Sequence, residues 1–211
     1  MCGRFGIAAP KEVLEKRFHA CFTDEYSPRY NAAPAQKLPV ILNTEPGRIR
    51  MIPWGIKPSW EKTSKMLINA RAESLWRLPT FRELFKKRRC LVLADGYYEW
   101  KRRGGQNQPY RFELKDRKLF AFAGLWEDGG KEESFLIVTT KPNKVSGKIH
   151  NRMPAILREA YEHSWLSELI DPEEAQNYFL PYPDELMRAY TVSDKINSAK
   201  YDSPDLISEV N

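Results

Sequence analysis

The chain has 211 residues, 42% hydrophobic and 12% aromatic, with a formal net charge of +6. That length and apolar content support a packed core in a single domain and exclude a disordered tail, and the positive balance fits a polyanionic partner. No apolar run reaches bilayer-spanning length and the first ten residues hold no signal-peptide core, so no membrane association is expected. The expected location is the cytoplasm, near the nucleoid, or a nucleus where the source has one. In chain order, Pro10 to Phe18 reads as a short helix with Val13, Leu14 and Phe18 on one face, and Arg48 to Pro53 alternates like a strand with Ile49 and Met51 together. Thr80-Phe81-Arg82-Glu83 has the form of a capping box opening a helix that buries Phe81, Leu84 and Phe85. Strands are expected at Cys90 to Ala94 and Tyr97 to Lys101. A turn at Gly104-Gly105 leads into Tyr110, Phe112 and Leu114, which alternate with Arg111 and Glu113. Leu119 to Trp126 and Phe135 to Thr140 follow as strands around a turn at Asp128-Gly129-Gly130. Asp171-Pro172-Glu173-Glu174 opens a helix with Asp at the N-cap and Pro at N1, and Leu186 to Ser193 completes the sheet. Clustered strands outnumbering helices predict a single α+β domain spanning residues 1–211, built on a curved, mostly antiparallel, barrel-like sheet with short flanking helices.

The three cysteines, Cys2, Cys21 and Cys90, are odd in number and far apart, and the three histidines, His19, His150 and His163, form no metal-binding pair. Neither a disulfide framework nor a metal site is expected, and no cofactor is implied. Cys2 follows the initiator methionine, and a small second residue allows Met1 to be removed. A chain beginning at Cys2 carries an amine and a thiol on adjacent carbons, with ordinary pKa values of about 8 and about 8.5. An aldehyde condenses with such an amine to an imine, and the thiolate closes a five-membered thiazolidine. An internal cysteine cannot do this, because its nitrogen is an amide. Position alone does not make Cys2 reactive; a small second residue is compatible with no role.

Five further features bear on Cys2. Met1-Cys2-Gly3-Arg4-Phe5, Pro53-Trp54-Gly55-Ile56-Lys57-Pro58-Ser59-Trp60, Ile68-Asn69-Ala70-Arg71-Ala72-Glu73, Asp95-Gly96-Tyr97-Tyr98-Glu99-Trp100 and Ile149-His150-Asn151-Arg152-Met153-Pro154 occur in this order. With Asn31-Ala32-Ala33-Pro34, they resemble the SRAP family (SOS response-associated peptidases), the abasic-site processing proteins. The resemblance runs from Cys2 to about Leu206; Asn197 to Asn211 matches more loosely and is assigned no role.

The resemblance implies a DNA-damage protein that senses abasic sites in single-stranded DNA, including those at junctions with duplex, and acts as a monomer. It implies a covalent DNA–protein cross-link through Cys2 with Schiff-base, lyase-type chemistry, in a family also classed as peptidases. Asn69 would hold the amine and the sugar, Glu99 would act as general acid and base on the closed sugar, and His150 would assist proton transfer. Arg4, Arg71 and Arg152 would contact flanking phosphates, and Trp60 and Trp100 would shape the DNA channel. These roles are physically coherent: opening a hemiacetal needs proton transfer at the ring oxygen, and arginine and aromatic groups suit a kinked single strand. Taken singly, Glu99 reads as a polar residue on the outer face of a strand, His150 as a surface histidine and Asn69 as a turn cap. Two other classes fit part of the sequence. Glutamine amidotransferases also begin Met-Cys-Gly and use the mature cysteine thiol, but without these motifs together. A non-catalytic nucleic-acid-binding module accounts for charge and aromatics but not for the terminal cysteine.

Overall fold

A computed structural model of the chain describes residues 2–57, 66–130, 132–167, 170 and 172–210. Among them run β1 (Arg4–Ile7), α1 (Lys11–Phe18), β2 (Cys21–Phe22), β3 (Arg29–Ala32), β4 (Lys37–Leu42), β5 (Arg48–Pro53), β6 (Asn69–Arg71), α2 (Pro79–Lys87) and β7 (Arg89–Ala94). The chain continues through β8 (Gly96–Arg103), β9 (Gln106–Leu114), β10 (Phe120–Asp128), β11 (Glu133–Thr140), β12 (Met153–Pro154), α3 (Glu159–Leu166), α4 (Pro172–Tyr178) and β13 (Met187–Thr191). The α+β class and mostly antiparallel pairing expected above are found. The strands form two sheets not closed into a barrel, one ordered β13-β9-β8-β1-β3, the other β12-β11-β10-β7-β4-β5-β2 with β6 parallel beside β11. Residues Leu186 to Ser193 therefore supply an edge strand and close nothing. No helix among the described residues is long and apolar enough to cross a membrane.

The two sheets meet through aromatic side chains. Phe5 of β1 packs edge-on against Trp54 at 5.2 Å and Phe122 at 5.7 Å, while Tyr97 stacks on Phe112 at 4.6 Å. Side chains alternate across β8, so Tyr97 enters this main core and Tyr98 enters a second, smaller cluster with Tyr190, Val192, Ile196 and Leu206. Glu99 returns to the face of Tyr97. β1 lies against β8 with Gly6 opposite Gly96. The Arg111 guanidinium covers this pair so closely that a Cβ on Gly96 would stand 2.5 Å from Arg111 Cζ. Arg111 also bonds the Asp95 carboxylate at 2.7 Å and the Tyr98 hydroxyl at 3.0 Å. The alternation in β9 thus has two buried faces: Arg111 and Glu113 are inside, paired, rather than in solvent.

Several local expectations change. Val13 is 48% exposed, and α1 buries only Leu14 and Phe18. α2 begins one residue before the supposed capping box: Pro79 takes the first turn, Leu78 is the N-cap, and no side chain caps it. Pro79 presets a helical φ and its missing N–H needs no partner in the first turn, so the helix starts there and Thr80 falls inside it. The expected burial of Phe81, Leu84 and Phe85 is found. The Asp171 cap lies outside the described residues. β1 to β4, β6 and β12 have no counterpart among the strands expected from sequence. Pro39 masks β4, which tolerates it where only β5 pairs, since the ladder to β7 begins at Val40.

Candidate active site

Cys2 precedes β1 and is fully buried in the full-length chain. Its carbonyl accepts a 2.8 Å bond from Asn69 Nδ2, and its Sγ faces the Arg4 carbonyl at 3.8 Å. Burial pushes the thiol well above its ordinary range, the nearby Glu99 carboxylate adds to the rise, and the terminal ammonium opposes it. In the chain that retains Met1, burial therefore favours the neutral thiol.

Asn69 is delivered by a three-residue strand held at both ends. β6 runs parallel to β11, and the preceding Ile68 carbonyl accepts from the indole of the fully buried Trp54 at 2.9 Å. The Pro-Trp-Gly motif is thus an anchor for Asn69. Glu99 is 3% exposed, which removes its reading as an outer-face residue. His150 follows a short turn after β11, and its Nδ1 stands 3.9 Å from Glu99 Oε1. Without a hydrogen, Nδ1 accepts the Arg152 N–H at 3.0 Å; with one, it can donate to the Arg152 carbonyl at 3.2 Å and faces Glu99. The ring nitrogen therefore has a partner whether or not it carries hydrogen. Cys2, Asn69, Glu99 and His150, four separate stretches of sequence, meet where the two sheets join.

The arginines differ from one another. Arg71 is exposed. Arg4 bonds Asn31 Oδ1 at 2.6 Å and the Ile196 carbonyl at 2.8 Å, so much of its donor capacity is taken by protein. Arg152 grips Glu73 with two bonds of 2.7 and 2.9 Å. Trp100 is partly buried and donates to Asn197 Oδ1 at 2.7 Å. Trp60 lies outside the described residues. Among these residues no group of three or more His, Cys, Asp or Glu is placed to hold a metal.

Sequence reasoning missed Asn31 and Glu73 as holders of Arg4 and Arg152, although both lie inside quoted motifs. It also missed Tyr97 and Ser146. Their hydroxyls are buried without a completed hydrogen bond, as are Asn69 Oδ1 and Arg152 Nε. All four belong to motif residues or to the turn that carries His150, and buried polar atoms left open in one place mark where a ligand is met. Only Tyr97, two residues before Glu99 on a strand, carried a sequence signal for this.

Fold and site together define a class: an α+β protein that gathers a cysteine at the chain start, an amide, a carboxylate and an imidazole between two sheets. The SOS response associated peptidase (SRAP) family matches residues 1–199, and the chain belongs to that family. It is 40% identical over 221 residues to the abasic site processing protein YoqW of Bacillus subtilis (strain 168), covering 98% of this chain and 99% of that protein. It is 29% identical over 224 residues to the abasic site processing protein YedK of Escherichia coli (strain K12), covering 100% of both. A crystal structure of a protein from Bacteroides thetaiotaomicron matches with a TM-score of 0.89 at 26% identity, over 100% of both chains.

Proposed function

We propose that this protein processes abasic sites in single-stranded DNA, including sites beside duplex, by becoming covalently attached to them as a monomer. The observation that carries this reading is the meeting of Asn69, Glu99 and His150 at Cys2. Removal of Met1 frees the Cys2 amine. Glu99 takes the proton of the C1′ hydroxyl and gives one to the ring oxygen as the ring carbon–oxygen bond breaks, so the closed sugar opens to its aldehyde. The amine adds to C1′ and water leaves, giving an imine. Sulfur then bonds to C1′, the carbon–nitrogen π pair becomes an N–H bond, and the thiol proton ends on nitrogen. One water is lost overall and nothing is oxidised. Asn69 holds the terminal residue through its carbonyl, and His150 moves protons in the forward and reverse directions. Exposed Arg71 meets a flanking phosphate directly. Arg4 and Arg152, steadied by Asn31 and Glu73, line the strand's path with Trp100.

Denaturing electrophoresis with abasic single-stranded DNA tests this, since only a covalent link survives. Wild type with Met1 removed is expected to shift the DNA durably. A chain verified by intact mass to retain Met1 should bind reversibly but leave no durable band, because its Cys2 nitrogen is an amide. Cys2→Ser should form the imine and lose the stable link. A durable adduct from the Met1-retaining chain would move the nucleophile elsewhere.

A further inference from the structure

Tyr97 is a core aromatic whose ring alone would explain its place. It stacks on Phe112 at 4.6 Å and meets Phe122 edge-on at 6.3 Å. Phenylalanine would fill the same space. The hydroxyl is what needs a reason: it is fully buried, the equally buried Ser146 hydroxyl lies close enough to act on it, and neither makes a hydrogen bond of good geometry. Ser146 belongs to the turn that carries His150, whose N–H donates to the Ser146 carbonyl at 2.9 Å. Tyr97 shares the inner face of β8 with Glu99 and lies opposite Phe5, three residues from Cys2. The ring is thus held rigidly, with its hydroxyl close enough to Cys2 and Glu99 for their charges to act on it.

We propose that Tyr97 is a further residue of the site, whose hydroxyl donates a hydrogen bond to the Cys2 sulfur as it becomes anionic during ring closure. This rests on Cys2 being the nucleophile. Burial pushes the phenol far above its ordinary range; the Ser146 hydroxyl opposes the rise and Cys2 and Glu99 add to it, so Tyr97 keeps its proton and acts as donor only. The proton that moves is the thiol's, from sulfur to the imine nitrogen as the sulfur–carbon bond forms. The titratable groups facing Cys2 are Glu99 and Tyr97 from β8, the terminal amine and, beyond Glu99, His150. Of these, Glu99 opposes the thiolate, which leaves a donor role open.

The test is the pH profile of Cys2 alkylation by iodoacetamide. It uses the chain beginning at Cys2 and carrying Cys21→Ser, because Cys21 is exposed. Tyr97→Phe is expected to move the profile about one unit alkaline, slowing alkylation at neutral pH about tenfold. Cross-linking should slow with it, and the thermal midpoint should hold or rise, since an unsatisfied hydroxyl is lost. Ser146→Ala keeps the donor and should stay near the wild-type profile. A wild-type profile in Tyr97→Phe overturns the proposal, as does an equal shift in Ser146→Ala. A shifted profile in a protein that never cross-links abasic DNA upholds the donor and overturns the proposed function instead.

Discussion

At the scale of single residues, Glu99 has two opposed effects that one substitution separates. In the proposed function it serves the sugar as acid and base; as a buried negative charge near sulfur it raises the thiol. Glu99→Gln keeps the shape and removes both. Cross-linking to a closed abasic sugar should slow on the order of a hundredfold, the usual worth of general acid–base help. Alkylation of Cys2 should become faster at neutral pH, because one source of the rise is gone. Time courses of the two reactions check this, and a variant in which both slow, or neither changes, would take Glu99 out of the role given to it.

At the scale of elements, the position of the His150 turn depends on a clamp between two stretches far apart in sequence. Arg152 grips Glu73 with two bonds and also donates to the Thr139 carbonyl of β11 at 2.5 Å. The hydrogen bonds from Arg152 hold the Glu73 carboxyl below the usual carboxylate range. A carboxylate depressed in the folded state adds stability above its unfolded pKa, about 4.3, and loses it as pH falls through the lower folded value. The stability advantage of wild type over Glu73→Gln should therefore be full near neutrality and shrink on acidification below about pH 4. Chemical denaturation at a series of pH values measures it. An advantage constant with pH would mean that the clamp works through shape and not charge.

At the scale of the whole molecule, the C-terminal stretch, given no role from sequence, forms one wall of the second core. Ile196 and Leu206 are buried with Tyr98, and Asn31 Nδ2 bonds the carbonyls of Ser198 and Tyr201 at 2.9 and 2.8 Å. The same segment contacts Arg4 and Trp100. Leu206→Ala should cost about 2–5 kcal/mol, the usual range for emptying a buried leucine site. In a domain of this size that lowers the melting midpoint by roughly 5–15 °C in calorimetry. DNA binding should weaken with it, since Arg4 and Trp100 lose their backing. An unchanged midpoint would make the segment a passive cover.

By itself the sequence determined the α+β class, most strands from β5 onward, the buried face of α2 and the family. Each is written locally: period-two alternation, a run such as Cys90 to Ala94, or motifs whose residues stand together. It also pointed to Cys2, Asn69, Glu99 and His150, through motif resemblance and not through any pattern linking them. Tertiary structure alone decided what those residues face. Glu99 reads as a surface position until β8 is seen to have two buried faces, and Arg111 and Glu113 look solvent-exposed until they pair inside β9's own network. Arg4 and Arg152 look alike in sequence but are committed to Asn31 and Glu73, partners 27 and 79 residues away. Burial, and with it the charge state of the Cys2 thiol, is a sum over neighbours that only folding brings together.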